Sequence, residues 1–198
     1  VDYTNGLPGV TIVGLPDTAV QESRERVQTA VKNAGLHFPR HRIVVNLAPA
    51  VVRKEGPAYD LPIALGVIIL AGYLPYEAMD GSLVIGELSL DGVVRHTRGI
   101  LPMAATARAN GYKRMFVPEV DAPEAALIPD LEIIPVKSLA HLYDHLAGRQ
   151  LIPPYQPSDS FLEPLFTPTD FSEIKGQDHV KRALEVAAAG GHNVLMAG

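Results

Sequence analysis

Leu83-Val84-Ile85-Gly86-Glu87-Leu88-Ser89-Leu90-Asp91-Gly92-Val93-Val94-Arg95 is the stretch on which the fold turns. Asp-Gly between two apolar runs is the strongest short hairpin signal, because the glycine accepts the positive φ that a tight turn demands. The spacing predicts two antiparallel strands, Leu83 to Leu90 and Val93 to Arg95. Beyond them a helix is expected from about Ile100 to Asn110, stopped by Gly111. Strands then follow over Arg114 to Val117 and Glu132 to Val136, separated by a short helix near Pro123 to Leu127. Ser138 caps a last helix that reaches about Ala147.

Working back from the hairpin, Leu61 to Ala71 is an apolar run that predicts a buried helix. It is preceded by the charged turn Arg53-Lys54-Glu55-Gly56-Pro57. Arg42 to Leu47 predicts a strand, as does the β-branched Val10-Thr11-Ile12-Val13 between Gly9 and Gly14. Asp17 or Thr18 opens a helix that ends at Gly35. Its apolar residues Val20, Val27, Ala30, Val31 and Ala34 return near the helical period, with Arg24, Glu25 and Lys32 facing out. Strands alternating with helices imply an α/β fold, an α+β arrangement in two layers.

Composition narrows the classes. Apolar residues make up 47% of the 198, ample for a core, and no run reaches the roughly 18–20 apolar residues of a membrane span. Cysteine is absent, which excludes disulfides and Cys-ligated zinc. A soluble, cytoplasmic protein without a membrane role is expected.

The net charge of −5 conceals a division. Glu22 to Glu55 holds seven Lys or Arg against three acids, and Gly92 to Met115 holds five against none. Such asymmetry suits either solvated helix faces or an anionic partner. The candidates for DNA contact are Arg24, Arg26, Arg40, Arg42, Arg53, Lys54, Arg95 and Arg98.

Five prolines between Leu151 and Thr169 punctuate a stretch without period, the mark of a semi-rigid linker. The expected organisation is a domain over 1–149, a linker over 150–170 and the start of a second module over 171–198. In that last part a helix around His179 to Gly191 leads to Asn193-Val194-Leu195-Met196-Ala197-Gly198. This reads as a buried strand running into a phosphate-binding loop, whose backbone N–H groups cradle phosphates. The sequence stops at the first glycine of that loop, so no ATP hydrolysis is expected from this piece alone.

Other motifs carry less. His141 and His145 stand at i and i+4 on one helix, a spacing that suits zinc, but no third ligand is apparent, and no metal is expected. Gly-x-Ser-x-Gly is absent, so there is no hydrolase-type nucleophile elbow. The Gly56-Pro57 turn before the buried helix is either a structural turn or a helix N-terminus offered to an anion.

Arg53-Lys54-Glu55-Gly56-Pro57-Ala58 resembles the Pro-Lys-Asp-Gly-Pro-Ser segment of Lon-type proteases, in which the serine is the nucleophile. Gly86 to Gly92, continuing to Arg98-Gly99-Ile100-Leu101-Pro102, resembles the strand–turn–helix of the same fold, also found in RadA-type recombination proteins. On this resemblance the serine position is Ala58 and that of the activating lysine is Leu101. An alanine methyl cannot attack a carbonyl and leucine cannot act as a base.

Gly6-Leu7-Pro8-Gly9-Val10-Thr11-Ile12-Val13-Gly14-Leu15-Pro16-Asp17, Glu22 to Arg26, and Lys181-Arg182-Ala183-Leu184-Glu185 through Asn193 are similar to the ComM/YifB family of magnesium chelatase-like proteins. The resemblance implies a Lon-like domain of the ribosomal protein S5 domain 2 type, followed by an AAA+ ATPase module. It implies a strand ahead of Val1, and ATP with Mg²⁺ as cofactors of the full-length protein, none of them bound by this piece. In such modules Ile174, Gly176 and Gln177 pack beside the adenine and Gly198 opens the phosphate loop, a partial ATP site. The family further implies a homo-hexamer acting on DNA without sequence preference, as a branch-migration helicase. Two other readings compete: a chelatase-type module driving metal insertion through a partner, and a working peptidase, which Ala58 and Leu101 oppose.

Overall fold

A computed structural model describes residues 1–157 and 170–196 and divides the chain into two units, Val1–Pro157 and Ser158–Gly198. The first unit begins with β1 (Asp2–Thr4), β2 (Gly9–Val13), α1 (Thr18–Asn33) and β3 (Arg42–Asn46). These strands form one sheet in the order β1-β3-β2, β2 lying parallel to β3 and β1 antiparallel to it. Asp17 is the residue that caps α1, its Oδ1 accepting from the Val20 N–H at 2.7 Å. The helix buries Val20, Val27, Ala30 and Val31, the stripe its spacing predicted.

A single 3₁₀ turn, Pro57–Tyr59, leads into α2 (Asp60–Leu70), the apolar helix, in which only Pro62, Gly66, Ile69 and Leu70 reach solvent in part. The stretch around the hairpin departs from expectation. Leu83 to Leu90 is not one strand but two, β4 (Ser82–Val84) and β5 (Glu87–Leu88), and only β5 pairs with β6 (Val94–Arg95). The break falls at Gly86. Its N–H donates to the Ala58 carbonyl at 3.1 Å and its carbonyl accepts from the Leu61 N–H at 3.0 Å, so the chain leaves one sheet to bind the start of α2. A Cβ at Gly86 would lie 2.7 Å from Val94 Cγ1 and 3.1 Å from Leu61 Cδ2, which is why the crossing needs glycine. The Asp91-Gly92 turn forms as expected, with the Gly92 N–H on the Ser89 carbonyl at 2.9 Å.

The remainder is α3 (Ile100–Ala109), β7 (Arg114–Pro118), α4 (Ala122–Ala125), β8 (Glu132–Val136) and α5 (Leu139–Leu146). β4, β7 and β8 make a parallel sheet in that order. Successive residues of β7 point to opposite faces. Phe116 joins the core built on α1, α2 and α5, whereas Met115 and Val117 join a second core with Ile100, Ala104 and Ala122. Around β7 the layering is therefore helix, sheet, helix, one layer more than the two expected, as a parallel strand covered on both faces requires.

The proline-rich stretch also differs at its start. Ile152 is buried, its N–H donating to His145 Nδ1 at 2.9 Å, and the Tyr155 N–H donates to the Ile133 carbonyl at 2.7 Å. Residues 150–157 thus belong to the first unit, not to a linker, because apolar Ile152 and a free edge of β8 outweigh the prolines. Pro164 and Pro168 lie outside the described residues.

In the second unit, α6 (Asp178–Gly190) follows a 3₁₀ turn, Phe171–Glu173, and is closed by Gly191 at φ +62°. Residues 192–196 form no strand: Leu195 and Met196 are exposed, and among the described residues no ladder pairs with them. A strand is a paired object, and apolar character alone does not make one.

Candidate functional site

Two stretches that look independent in the sequence hold one another. The Asp17 N–H donates to the Lys54 carbonyl at 3.0 Å, and the Lys54 N–H to the Leu15 carbonyl at 3.1 Å. Asp17 Oδ2 then accepts from the Gly56 N–H at 3.0 Å. The Gly14-Leu15-Pro16-Asp17 segment is therefore the support of the Lys54-Glu55-Gly56-Pro57-Ala58 segment. Gly56 sits at φ +78°, ψ 165°, a conformation open essentially to glycine. The hydrogen bonds from Val20 and then Gly56 hold the Asp17 carboxyl below its ordinary range.

Two residues beyond Ala58 lies Asp60, fully buried at the first position of α2. Its carboxylate accepts from the Ser23 hydroxyl, from Arg26 Nε at 2.6 Å and Nη2 at 3.1 Å, and from the Leu88 N–H at 3.1 Å. One carboxylate thereby ties α1, α2 and β5 together. The hydrogen bond to Asp60 is also the main reason that the Arg26 guanidinium holds its proton more tightly than usual. Sequence reasoning missed this group. Its signal was a lone acid opening an apolar helix, which no satisfied core tolerates without a cationic partner elsewhere.

Ala58 lines a cleft of about 440 Å³ shared with Glu55, Gly56, Pro57, Glu87, His96, Thr97, Arg98 and Met103. On its far side the buried Asp121 accepts from the Thr97 N–H at 2.8 Å and pairs with His96 Nδ1, while the Thr97 hydroxyl is buried without a partner. Leu101 stands at the first turn of α3, half-buried, its N–H donating to Glu124 Oε1 at 3.1 Å. Among the described residues no serine lines the cleft, and the methyl of Ala58 has no lone pair for a carbonyl carbon.

The eight basic candidates do not converge. Arg26 is held by Asp60, and Lys54 is 5% exposed with its ammonium turned onto the Pro49 and Val52 carbonyls. Neither presents a free charge: Arg26 is engaged by the buried Asp60 carboxylate, and the Lys54 ammonium is turned onto two backbone carbonyls. Arg24 and Arg53 are exposed and pair with Glu25 at 3.3 Å and Glu55 at 3.4 Å. Arg98 stands on the rim of the Ala58 cleft, and Arg95 lies opposite Glu87 in register. Arg40 and Arg42 are exposed at the start of β3, beside Gly9 in the ladder, whereas the Ala58 cleft adjoins the other end of β2 and β3.

The remaining candidates are placed plainly. His145 Nδ1 accepts from the Ile152 N–H and its ring packs edge-on against Phe116, and burial lowers its affinity for a proton. Among the described residues no group of three His, Asp or Glu is placed to hold a metal. In the second unit, Ile174 is extended, Gly176 and Gln177 both take positive φ, and Lys181 Nζ donates to the Ile174 carbonyl. Gly198 lies outside the described residues. Among the described residues no helix is long and apolar enough to cross a membrane.

Residues 1–121 match the family described as subunit ChlI of Mg-chelatase, and residues 170–198 match magnesium chelatase, subunit ChlI. The chain is 37% identical to the protein YifB of Escherichia coli and covers 38% of it. It is 36% identical to the competence protein ComM of Haemophilus influenzae, of which it covers 39%. Both matches take in 100% of this chain, which thus spans about two-fifths of either relative. Lon protease 2 of Bacillus subtilis is 28% identical over 63% of this chain and 22% of the protease.

Proposed function

The chain belongs to the ComM/YifB family of magnesium chelatase-like proteins, and we propose that it is the N-terminal part of an AAA+ ATPase that remodels DNA. In this reading residues 1–157 are a Lon-like domain of the ribosomal protein S5 domain 2 type, and the second unit begins the ATPase module. The domain organises or engages, and it does not cleave. One observation carries this: the Gly56 turn, Asp17 and the Asp60–Arg26 pair maintain a Lon-like scaffold around a position that holds only the Ala58 methyl. A scaffold kept in order without its nucleophile supports a role in binding or assembly.

The full-length protein would use ATP and Mg²⁺, assemble as a hexamer and contact DNA through phosphates, with the exposed Arg40 and Arg42 among the cations of this domain that serve it. Ile174, Gly176, Gln177 and Gly198 would contribute to the nucleotide site. The test is full-length protein on forked DNA with ATP, read as strand migration. Migration that fails with ATPase turnover intact and DNA bound would overturn the reading.

A second reading is favoured by the description of the matching families: an ATPase that drives magnesium insertion through a partner. It predicts turnover stimulated by a metal-inserting partner protein and indifferent to DNA.

A further inference from the structure

We propose that the groove between the end of α1, the start of β3 and the end of α2 is a binding site for single-stranded nucleic acid. The groove measures about 580 Å³, and its polar and aromatic walls are Tyr3, Lys32, His37, Arg40, His41 and Tyr73. Among the described residues no carboxylate lines it, although the chain carries a net charge of −5. Lys32 and Arg40 make no ion pair among the described residues, in contrast to Arg24, Arg26 and Arg53. The Ala58 cleft is different in kind, since Glu55 and Glu87 face Arg98 and His96 there. Two unpaired cations in an acid-free groove suit a phosphate backbone.

The aromatic walls are held in place. The Tyr3 hydroxyl donates to the Leu70 carbonyl at 3.0 Å, and the Tyr73 hydroxyl accepts from the His37 N–H at 3.1 Å. The Tyr3 ring is 38% exposed, and the exposed His41 ring lies 5.0 Å from it, tilted by 54°. A ring fixed through its hydroxyl keeps its face for stacking at little entropic cost. Cations that track a backbone beside an aromatic platform are the combination that binds single strands without sequence preference. A duplex keeps its bases stacked inside and meets only the cations, so the rings select for the unpaired strand.

This inference rests on the DNA reading given above, and the test separates the two. Full-length protein is titrated with a fluorescent oligodeoxythymidylate carrying 5-iododeoxyuridine, then crosslinked by light and mapped by mass spectrometry. Adducts are expected on Tyr3 or His41. Lys32→Gln with Arg40→Gln should lower the slope of log affinity against log salt by about 1.4, the release expected from two single-strand phosphates. Tyr3→Leu should weaken binding at least about fivefold with little change in that slope, as loss of one stacking platform does. His41→Ala is the second probe of the platform, at an exposed residue whose side chain makes no hydrogen bond among the described residues. If the oligonucleotide binds but adducts map elsewhere and these variants behave as the parent, the groove is the wrong site and the DNA reading stands. If no form binds it, both fall. If the charge variants dissociate the assembly and leave binding per subunit unchanged, the groove is a subunit interface.

Discussion

The two ends of the β2–β3 ladder carry similar residues and use them differently. At the end near Ala58, Arg26, Lys54, Asp17 and Asp60 are all engaged with groups inside the domain. At the end near Gly9, Arg40 and Arg42 are exposed, and among the described residues no carboxylate lines the groove beside Arg40. Charge at the first end is part of the scaffold, and charge at the second is left for a partner. The lesson is that a count of basic residues per segment does not measure a binding surface. Burial decides first, because a charge removed from water must find an internal partner.

The largest effect that would sharpen this contrast is at Asp60. Replacing Asp60 by Ala leaves Arg26 partly buried without its carboxylate and should destabilise the first unit by about 3–5 kcal/mol, read from urea midpoints. Replacing both, as Arg26→Met with Asp60→Leu, should recover much of that loss. A single variant that unfolds like the parent would show that the pair is not structural.

Lys54→Met comes next. It removes two hydrogen bonds, to the Val52 and Pro49 carbonyls, and should cost about 1–3 kcal/mol, whereas Arg40→Gln at the other end should stay within about 0.5 kcal/mol. Equal effects at the two positions would erase the distinction between the ends.

Asp17 adds a pH signature. Asp17→Asn keeps a capping side chain but loses the charge that accepts from Val20 and Gly56. The Asp17 carboxyl is held below its ordinary value of 3.8 in the folded chain, so its share of stability is fully present above that value. It is lost as pH falls through the depressed value. Parent and variant should therefore differ by a constant amount near neutrality and converge below about pH 4. A difference that grows in acid would reverse the assignment.

The smallest expected effect is none. Ala58→Ser with Leu101→Lys should leave fluorogenic peptides and casein uncut, because a nucleophile needs positioned donors around the reacting carbonyl as well. Leu101 is also outside the group of residues that line the Ala58 cleft. Cleavage by the double variant would show that the whole peptidase geometry had been kept.

Much of the fold was legible. The helices over 18–33, 60–70, 100–109 and 139–146 and the strands over 9–13, 42–46, 114–118 and 132–136 lie where periodicity and caps put them. The same local signals misjudged Leu83 to Leu90, where Gly86 takes the chain out of one sheet and into another, and Asn193 to Met196, which finds no ladder among the described residues. At the candidate site, the Gly56-Pro57 turn was legible from its motif, but Asp60 was not.

By itself, then, the sequence determined what is local: the caps at Asp17 and Ser138, the Asp91-Gly92 turn and the apolar stripes. These depend on neighbours within a few residues, where torsions and short-range hydrogen bonds are set. Only the tertiary structure decided which charges are free. Arg26 reaches Asp60 across 34 positions and Asp17 reaches Gly56 across 39, while Tyr3 comes to the groove of Lys32 and Arg40 through its hydroxyl bond to Leu70. Such pairings exist only once burial has removed the competing water, and nothing in the spacing of the chain encodes them.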